Sequence, residues 1–113
     1  MLPKENRLKG KDVKRVLKDG QAFKEDFLIL RIVKNNLNKT RFGFIVSKKL
    51  SKKATMRNKI RRRLSNLVKV KMKKLKKGVD GVFIAVQGLE TKDFWEIEEA
   101  MNKNFSKAKL LND

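Results

Sequence analysis

Ser47-Lys48-Lys49-Leu50-Ser51-Lys52-Lys53-Ala54-Thr55-Met56-Arg57-Asn58-Lys59-Ile60-Arg61-Arg62-Arg63-Leu64 joins a predicted strand to a predicted helix without a single acidic residue. Setting Ile60 at zero and turning about 100° per residue puts Met56, Leu64, Leu67 and Leu75 within about 60° of it. Asn58, Arg61, Arg62, Ser65 and Lys69 gather on the far side, between about 100° and 200°. The spacing therefore predicts a helix from Met56 to Leu75 with one face that buries and one that is polar and mostly cationic. Arg57 falls on the boundary, where a long stem can bury while its head reaches out.

The acid-free region is much longer than this helix. From Phe27 to Val79 the chain holds 19 of its 31 lysines and arginines and no aspartate or glutamate. Residues 1–26 carry net +3 and residues 80–113 net −3, so the total of +19 comes from the middle. A surface built only for solubility mixes both signs. A solvated helix face normally pairs lysine with glutamate four residues away, and here no glutamate is present to pair. A polyanion must supply the counter-charge, which points to nucleic acid.

Other classes recede on composition. Without cysteine there is no disulfide, thiolate nucleophile or zinc ribbon, and without histidine the readiest proton carrier near neutral pH is missing. A cationic amphipathic helix could lie on anionic lipid, but this one lacks a tryptophan anchor on its apolar side and needs that side for the core. The N-terminus has no apolar stretch of signal-peptide length and no run approaches about 20 apolar residues, so a cytoplasmic protein without a membrane partner is expected. DNA is disfavoured because no helix-turn-helix or zinc-finger spacing accompanies the basic residues. RNA is favoured, since a helix beside an open sheet face offers a cleft for a single strand.

Around the basic helix the chain predicts a single domain over residues 1–113. Residues 6–20 read as a first helix with Leu8, Val13, Val16 and Leu17 inward, Asp12 as a possible cap and Gly20 as a left-handed stop. Phe27–Lys34 and Arg41–Ser47 read as strands joined by an asparagine-rich turn into an antiparallel hairpin, with Gly43 marking a bulge or a close approach. Gly78–Gly81 reads as a turn and Val82–Val86 as a buried strand. Thr91 or Asp93 then caps a last helix with Phe94, Ile97, Met101, Phe105 and Ala108 inward and Trp95 at the core edge. The order is α-β-β-α-β-α, an α+β fold with a small central sheet packed by helices.

Ser47-Lys48-Lys49, followed by Ala54-Thr55-Met56-Arg57-Asn58-Lys59-Ile60-Arg61-Arg62, closely resembles the signature of the bacterial ribonuclease P protein component. The likeness extends over the chain through the Asn6-Arg7-Leu8 opening, the strand order and the final helix. It implies a small subunit that binds a catalytic RNA and helps it remove the 5′ leader of precursor tRNA. It also implies a ribosomal-protein-like fold with a left-handed β-α-β crossover, which sequence patterns alone do not suggest. By the same resemblance Arg57, Asn58 and Lys59 fill an Arg-Asn-Arg triplet, Arg61 and Arg62 the basic pair after it, and Lys48 and Lys49 the strand-end pair. With Lys52, Lys53, Ser65 and Lys69 they make up the expected RNA-binding set. The leader-cleft positions fall on Val13, Leu17 and Leu30.

The chain departs from that pattern in places. Lys59 keeps the charge of an arginine but loses its planar fork. Ser51 stands where glycine is usual and Ser65 where a further arginine often lies. Val13, Leu17 and Leu30 are aliphatic at positions commonly aromatic, and stacking on a base is worth about 1–3 kcal/mol.

Phosphodiester cleavage by a protein usually needs clustered carboxylates holding a metal, or a histidine base. The basic region has neither, and Asp26 and Asp80 lie outside it, so no catalytic or metal-holding residue is expected. The resemblance assigns Mg²⁺ mainly to the RNA subunit. Asn58 could touch a metal's hydration shell, but a structural role is the simpler expectation. Alternatives are a ribosomal-type or RNA-chaperone binding protein without a nuclease role, and a stand-alone protein nuclease.

Overall fold

Residues 82–85 are apolar on both faces, and the other strands arrange themselves around the strand that carries them. The computed structural model describes residues 2–112. Its regular elements are α1 (Gly10–Asp19), β1 (Gln21–Glu25), β2 (Leu28–Lys34), β3 (Arg41–Val46), α2 (Ala54–Lys71), β4 (Val79–Ala85) and α3 (Phe94–Lys107). The sheet order is β1-β2-β4-β3, with β4 antiparallel to β2 and parallel to β3. The α+β class and the helix order match the sequence reading, and α2 makes the crossover between the parallel pair.

The expected β2–β3 hairpin does not form, because β4 inserts between its arms. Val82, Phe83 and Ala85 have no exposed surface. A strand this apolar needs cover on both faces, and a central place gives it paired edges as well. The Asn35–Thr40 loop therefore bridges two strand spacings, about 10 Å. It also receives the start of β4: Asn35 N–H donates to the Gly78 carbonyl at 3.0 Å, and Gly78 N–H to that of Lys39 at 3.3 Å. The chain has one more strand than expected, because β1 is short and polar and hides on the sheet edge beside β2.

Strand alternation sorts the sheet into two faces. Leu28, Leu30, Phe42, Phe83 and Ala85 face α2 and α3, whose Ile60, Leu64, Leu67, Val68, Ile97, Met101 and Phe105 complete the main core. Phe83 stacks on Phe42 at 5.8 Å and meets Phe105 edge-on at 5.4 Å. Each fully buried aliphatic side chain on α2 is worth about 1.5–3 kcal/mol, enough to hold a helix whose outer face repels itself. The opposite face lies under α1, where a Cβ on Gly43 would stand 3.0 Å from Val13 Cγ2. Gly43 thus marks a close approach of helix to strand.

Three local expectations change. Gly20 is extended at φ −75° and ψ 148°. It is required instead because a Cβ there would lie 2.4 Å from the Val16 carbonyl oxygen. Asp12 lies inside the first turn of α1 rather than capping it, 3.6 Å from Arg41. Asp93 does cap α3, accepting from Glu96 N–H at 2.8 Å. Phe94 and Trp95, however, are 53% and 71% exposed and pack edge-to-face on each other. The buried stripe of α3 is centred near Ile97, and Trp95 points about 160° away from it.

Asp80 is the one fully buried acid among the described residues, placed in β4 rather than in the expected turn. Arg41 grips it with two bonds, Nε at 2.9 Å and Nη2 at 2.7 Å, and Asn35 Nδ2 donates at 2.8 Å. Arg15 of α1 reaches the same carboxylate. Burial pushes the Asp80 carboxyl up, but the hydrogen bonds from Arg41 and Asn35 and the charges of Arg41 and Arg15 outweigh it, so its pKa is lowered. Hydrogen bonding to Asp80 raises Arg41 in turn, against a smaller opposing effect of burial.

A depressed carboxylate pKa contributes stability above its unfolded value, about 3.9, which is lost as pH falls through the folded value. Asp80→Asn leaves Arg41 and Arg15 without their counter-charge and is expected to cost about 3 kcal/mol. Urea unfolding as a function of pH checks both points: below about pH 4 the wild type should lose stability that the variant never had.

Candidate nucleic-acid interface

The outer face of α2 and the turn that feeds it form one cationic surface. Lys48, Lys49, Lys52, Lys53, Asn58, Lys59, Arg62 and Lys69 are exposed, while Arg57 and Arg61 are half-buried. The turn is shaped by its serines: Ser47 Oγ accepts from Lys49 N–H at 3.1 Å, and Ser51 Oγ from Lys53 N–H at 3.2 Å. Arg57 Nη1 donates to the Ser51 carbonyl at 2.9 Å, fixing the turn to the helix. Asn58 Oδ1 accepts from Arg61 Nη1 at 2.6 Å, which steers that guanidinium along the face.

Among the described residues the ion pairs engage Arg15, Arg41, Lys71, Lys92, Lys103 and Lys107, and no cation from Lys48 to Lys69. The first turn of α2 has no acid, and its N-cap, Lys53, makes no side-chain capping bond. The positive end of the helix dipole thus adds to the lysines around it, an arrangement that an anion relieves.

Ser65 is the exception to the expected set. It is only 5% exposed, and its Oγ accepts from Leu2 N–H at 3.1 Å. The N-terminal segment runs beside α2, buries Leu2 and is pinned further by Arg7 Nε on the Leu2 carbonyl at 2.7 Å. A helical wheel cannot foresee cover supplied by a segment so distant in sequence.

On the other side of the sheet, α1 leaves a partly open apolar strip. Val13 and Leu17 are half-buried beside it. Leu30 is not among them: it has no exposed surface and belongs to the core beneath α2 and α3. Alternation puts its neighbours Ile29 and Arg31 on the α1 face instead. Ile29 pairs with Ile84 and Ile84 with Ile45, so three half-buried isoleucines form one row across β2, β4 and β3. Arg31 Nη2 donates to the Gly20 carbonyl at the end of α1 at 2.7 Å.

A family model described as Ribonuclease P matches residues 2–109. The chain belongs to the ribonuclease P protein family. A ribonuclease P protein component from Clostridium botulinum is 35% identical over 111 residues, covering 96% of this chain and 99% of its own. The Staphylococcus aureus RNase P protein superposes with a TM-score of 0.85 at 28% identity, over 95% of this chain and 98% of that one. The Thermotoga maritima RNase P protein does so with a TM-score of 0.77 at 29% identity, over 85% and 91%. Membership places the chain in an endoribonuclease complex of tRNA processing, where ribonuclease P proteins partner an RNA subunit.

Against that background the carboxylates matter. Among the described residues no three of Asp, Glu, His or Cys come together in a way that could hold a metal ion. Asp80 is saturated by Arg41, Arg15 and Asn35. The described residues of this ribonuclease P protein therefore offer no donor set that fits a divalent cation held by the polypeptide alone. No helix among the described residues is long and apolar enough to cross a membrane.

The burial of Ser65 carries a prediction that separates packing from RNA contact. Ser65→Ala removes the acceptor of Leu2 N–H and should cost about 1 kcal/mol, read by denaturant unfolding, with RNA affinity unchanged. A loss of affinity without a loss of stability would put Ser65 back on the RNA face.

Proposed function

We propose that this chain is the non-catalytic, RNA-binding subunit of ribonuclease P, which assists the RNA subunit in removing the 5′ leader of precursor tRNA. The observation that carries this reading is the cationic face of α2, unpaired among the described residues, whose one buried carboxylate, Asp80, is fully engaged elsewhere. That face lies along phosphates of the catalytic RNA, with Lys48, Lys49, Lys52, Lys53, Arg57, Lys59, Arg61, Arg62 and Lys69 supplying charge. Asn58 orients Arg61. The strip under α1 takes the single-stranded leader on Val13, Leu17 and the isoleucine row. The work is electrostatic: cations on the protein offset repulsion between two RNAs, lowering the magnesium concentration that the complex requires. The Mg²⁺ itself is held mainly by RNA, and the complex works in the cytoplasm.

An aliphatic strip contacts a base less strongly than an aromatic ring, so leader binding here depends on apolar area more than on stacking. Leu30→Ala is expected to cost about 2–5 kcal/mol of stability, as a core truncation. Ile45→Ala should cost less and should selectively weaken binding of precursor over mature tRNA. Fluorescence binding with both RNAs measures that selectivity, and an unchanged ratio in Ile45→Ala would remove the leader from the strip. For the function as a whole, the protein should accelerate cleavage by its cognate RNA at limiting magnesium. No acceleration would contradict the proposal.

A further inference from the structure

A second set of cations lies beyond the end of α2, where no RNA has yet been placed. After Lys71 the helix tightens into the 3₁₀ turn Met72–Lys74, and the chain then heads for β4 through Lys76 and Lys77. Between this segment, the Asn35–Thr40 loop and the N-terminal 3₁₀ turn Lys4–Asn6 opens a groove of about 560 Å³. Lys39, Lys73, Lys76 and Lys77 line it over Met72 and Leu75, and among the described residues Glu5 is its one lining carboxylate. Among the described residues none of these four lysines has an acidic partner.

The backbone around the groove is firmly tied. Thr40 is 3% exposed; its Oγ1 donates to the Lys76 carbonyl at 2.6 Å and accepts from Val79 N–H at 3.3 Å. Asn6 Nδ2 donates to the Thr40 carbonyl at 2.9 Å, and Lys76 N–H to that of Leu110 at 2.8 Å. The segments that carry the lysines are thus locked together while the ammonium groups stay free, so a ligand meets a preorganised wall.

A simpler account is that these lysines complement the negative end of the α2 dipole. That effect fades within the last turn of a helix. It can serve Lys73, but Lys76 and Lys77 lie beyond that turn and Lys39 belongs to another element. Their mutual repulsion is left unrelieved, as on the outer face of α2. The line of that face also leads here: Arg62 and Lys69 fall within about 20° of one another around the helix, and Lys73 follows in the turn that ends it. A neighbouring groove, lined by Lys4, Arg7, Lys9, Arg41 and Asp12, shares Glu5 and Lys39 with the first and continues toward the start of α1.

We propose that the Lys39–Lys73–Lys76–Lys77 groove is a second RNA site, which holds the phosphodiester backbone of a strand running past the end of α2. No aromatic ring lines it, so it grips phosphates without reading bases. The site rests on the RNA-binding reading above and extends it to a region about 27 Å along α2 from the Lys53 turn.

The test compares Lys73→Ala/Lys76→Ala/Lys77→Ala with the wild type, titrating salt against binding of the cognate catalytic RNA and, separately, of precursor tRNA. Each lost phosphate contact on a single strand lowers the slope of log K against log salt by about 0.7, so a fall of about 2 is expected with one of the two RNAs. The RNA that responds is the one whose backbone occupies the groove. Lysine-to-arginine replacements at the same positions should restore the slope, and thermal melting should show both variants folded. An unchanged slope with both RNAs overturns the groove. Arg57→Ala/Arg61→Ala/Arg62→Ala runs in parallel. If that variant alone lowers the slope, the groove fails and the RNA-binding reading stands; if neither does, both fail.

Discussion

A single carboxylate holds this fold's two sides in register. Asp80 sits in the central strand and faces α1, and three elements meet on it through Arg15, Arg41 and Asn35. Val16 is the one residue of α1 that is fully buried, so apolar contact alone ties the helix down weakly. The ion pair supplies the rest and fixes where α1 lies over the sheet. That position leaves the row Ile29–Ile84–Ile45 half-covered instead of sealed. The Asn35–Thr40 loop that delivers Asn35 is also the loop that opens to admit β4, so the topology and the ion pair depend on each other.

The same arrangement divides the cations by purpose. Arg15 and Arg41 are committed to Asp80, and Lys71 pairs with Glu98 at the α2–α3 contact. The cations of α2's outer face and of the Lys48–Lys53 turn have no such partner. Packing of Ile60, Leu64, Leu67 and Val68 against the sheet keeps them on a rigid support. The free protein tolerates that repulsion, and on the proposed function binding to phosphate relieves it, which couples RNA binding to folding stability. On the proposed function, a polypeptide arranged this way contributes field and shape rather than a reacting group.

Much of this was legible from the residues. The period of α2 separated its buried stripe from its basic face, and the Ser-Lys-Lys to Arg-Arg spacing by itself pointed to the family. Asp93 could be read as a cap from local pattern alone. What escaped depended on distant parts of the chain. Asp80 looked like a turn residue because its partners lie 65 and 39 positions away. Leu30 and Ile29 are both apolar, and only the placement of α1 decides which of them meets the cleft. Ser65 lies on the polar side of its helix, yet Leu2 covers it. The β2–β3 hairpin was plausible locally, and it fails because β4 has a stronger demand for the centre.

The central claim is that two faces of one small domain engage two different RNAs. Photo-crosslinking from single positions in the assembled complex tests it most directly. A crosslinker at Lys59 or Arg62 should capture the catalytic RNA, and one at Leu17 or Ile45 should capture the 5′ leader of the precursor. Capture of the same RNA from both faces, or of leader from α2 and catalytic RNA from the α1 side, would contradict the account.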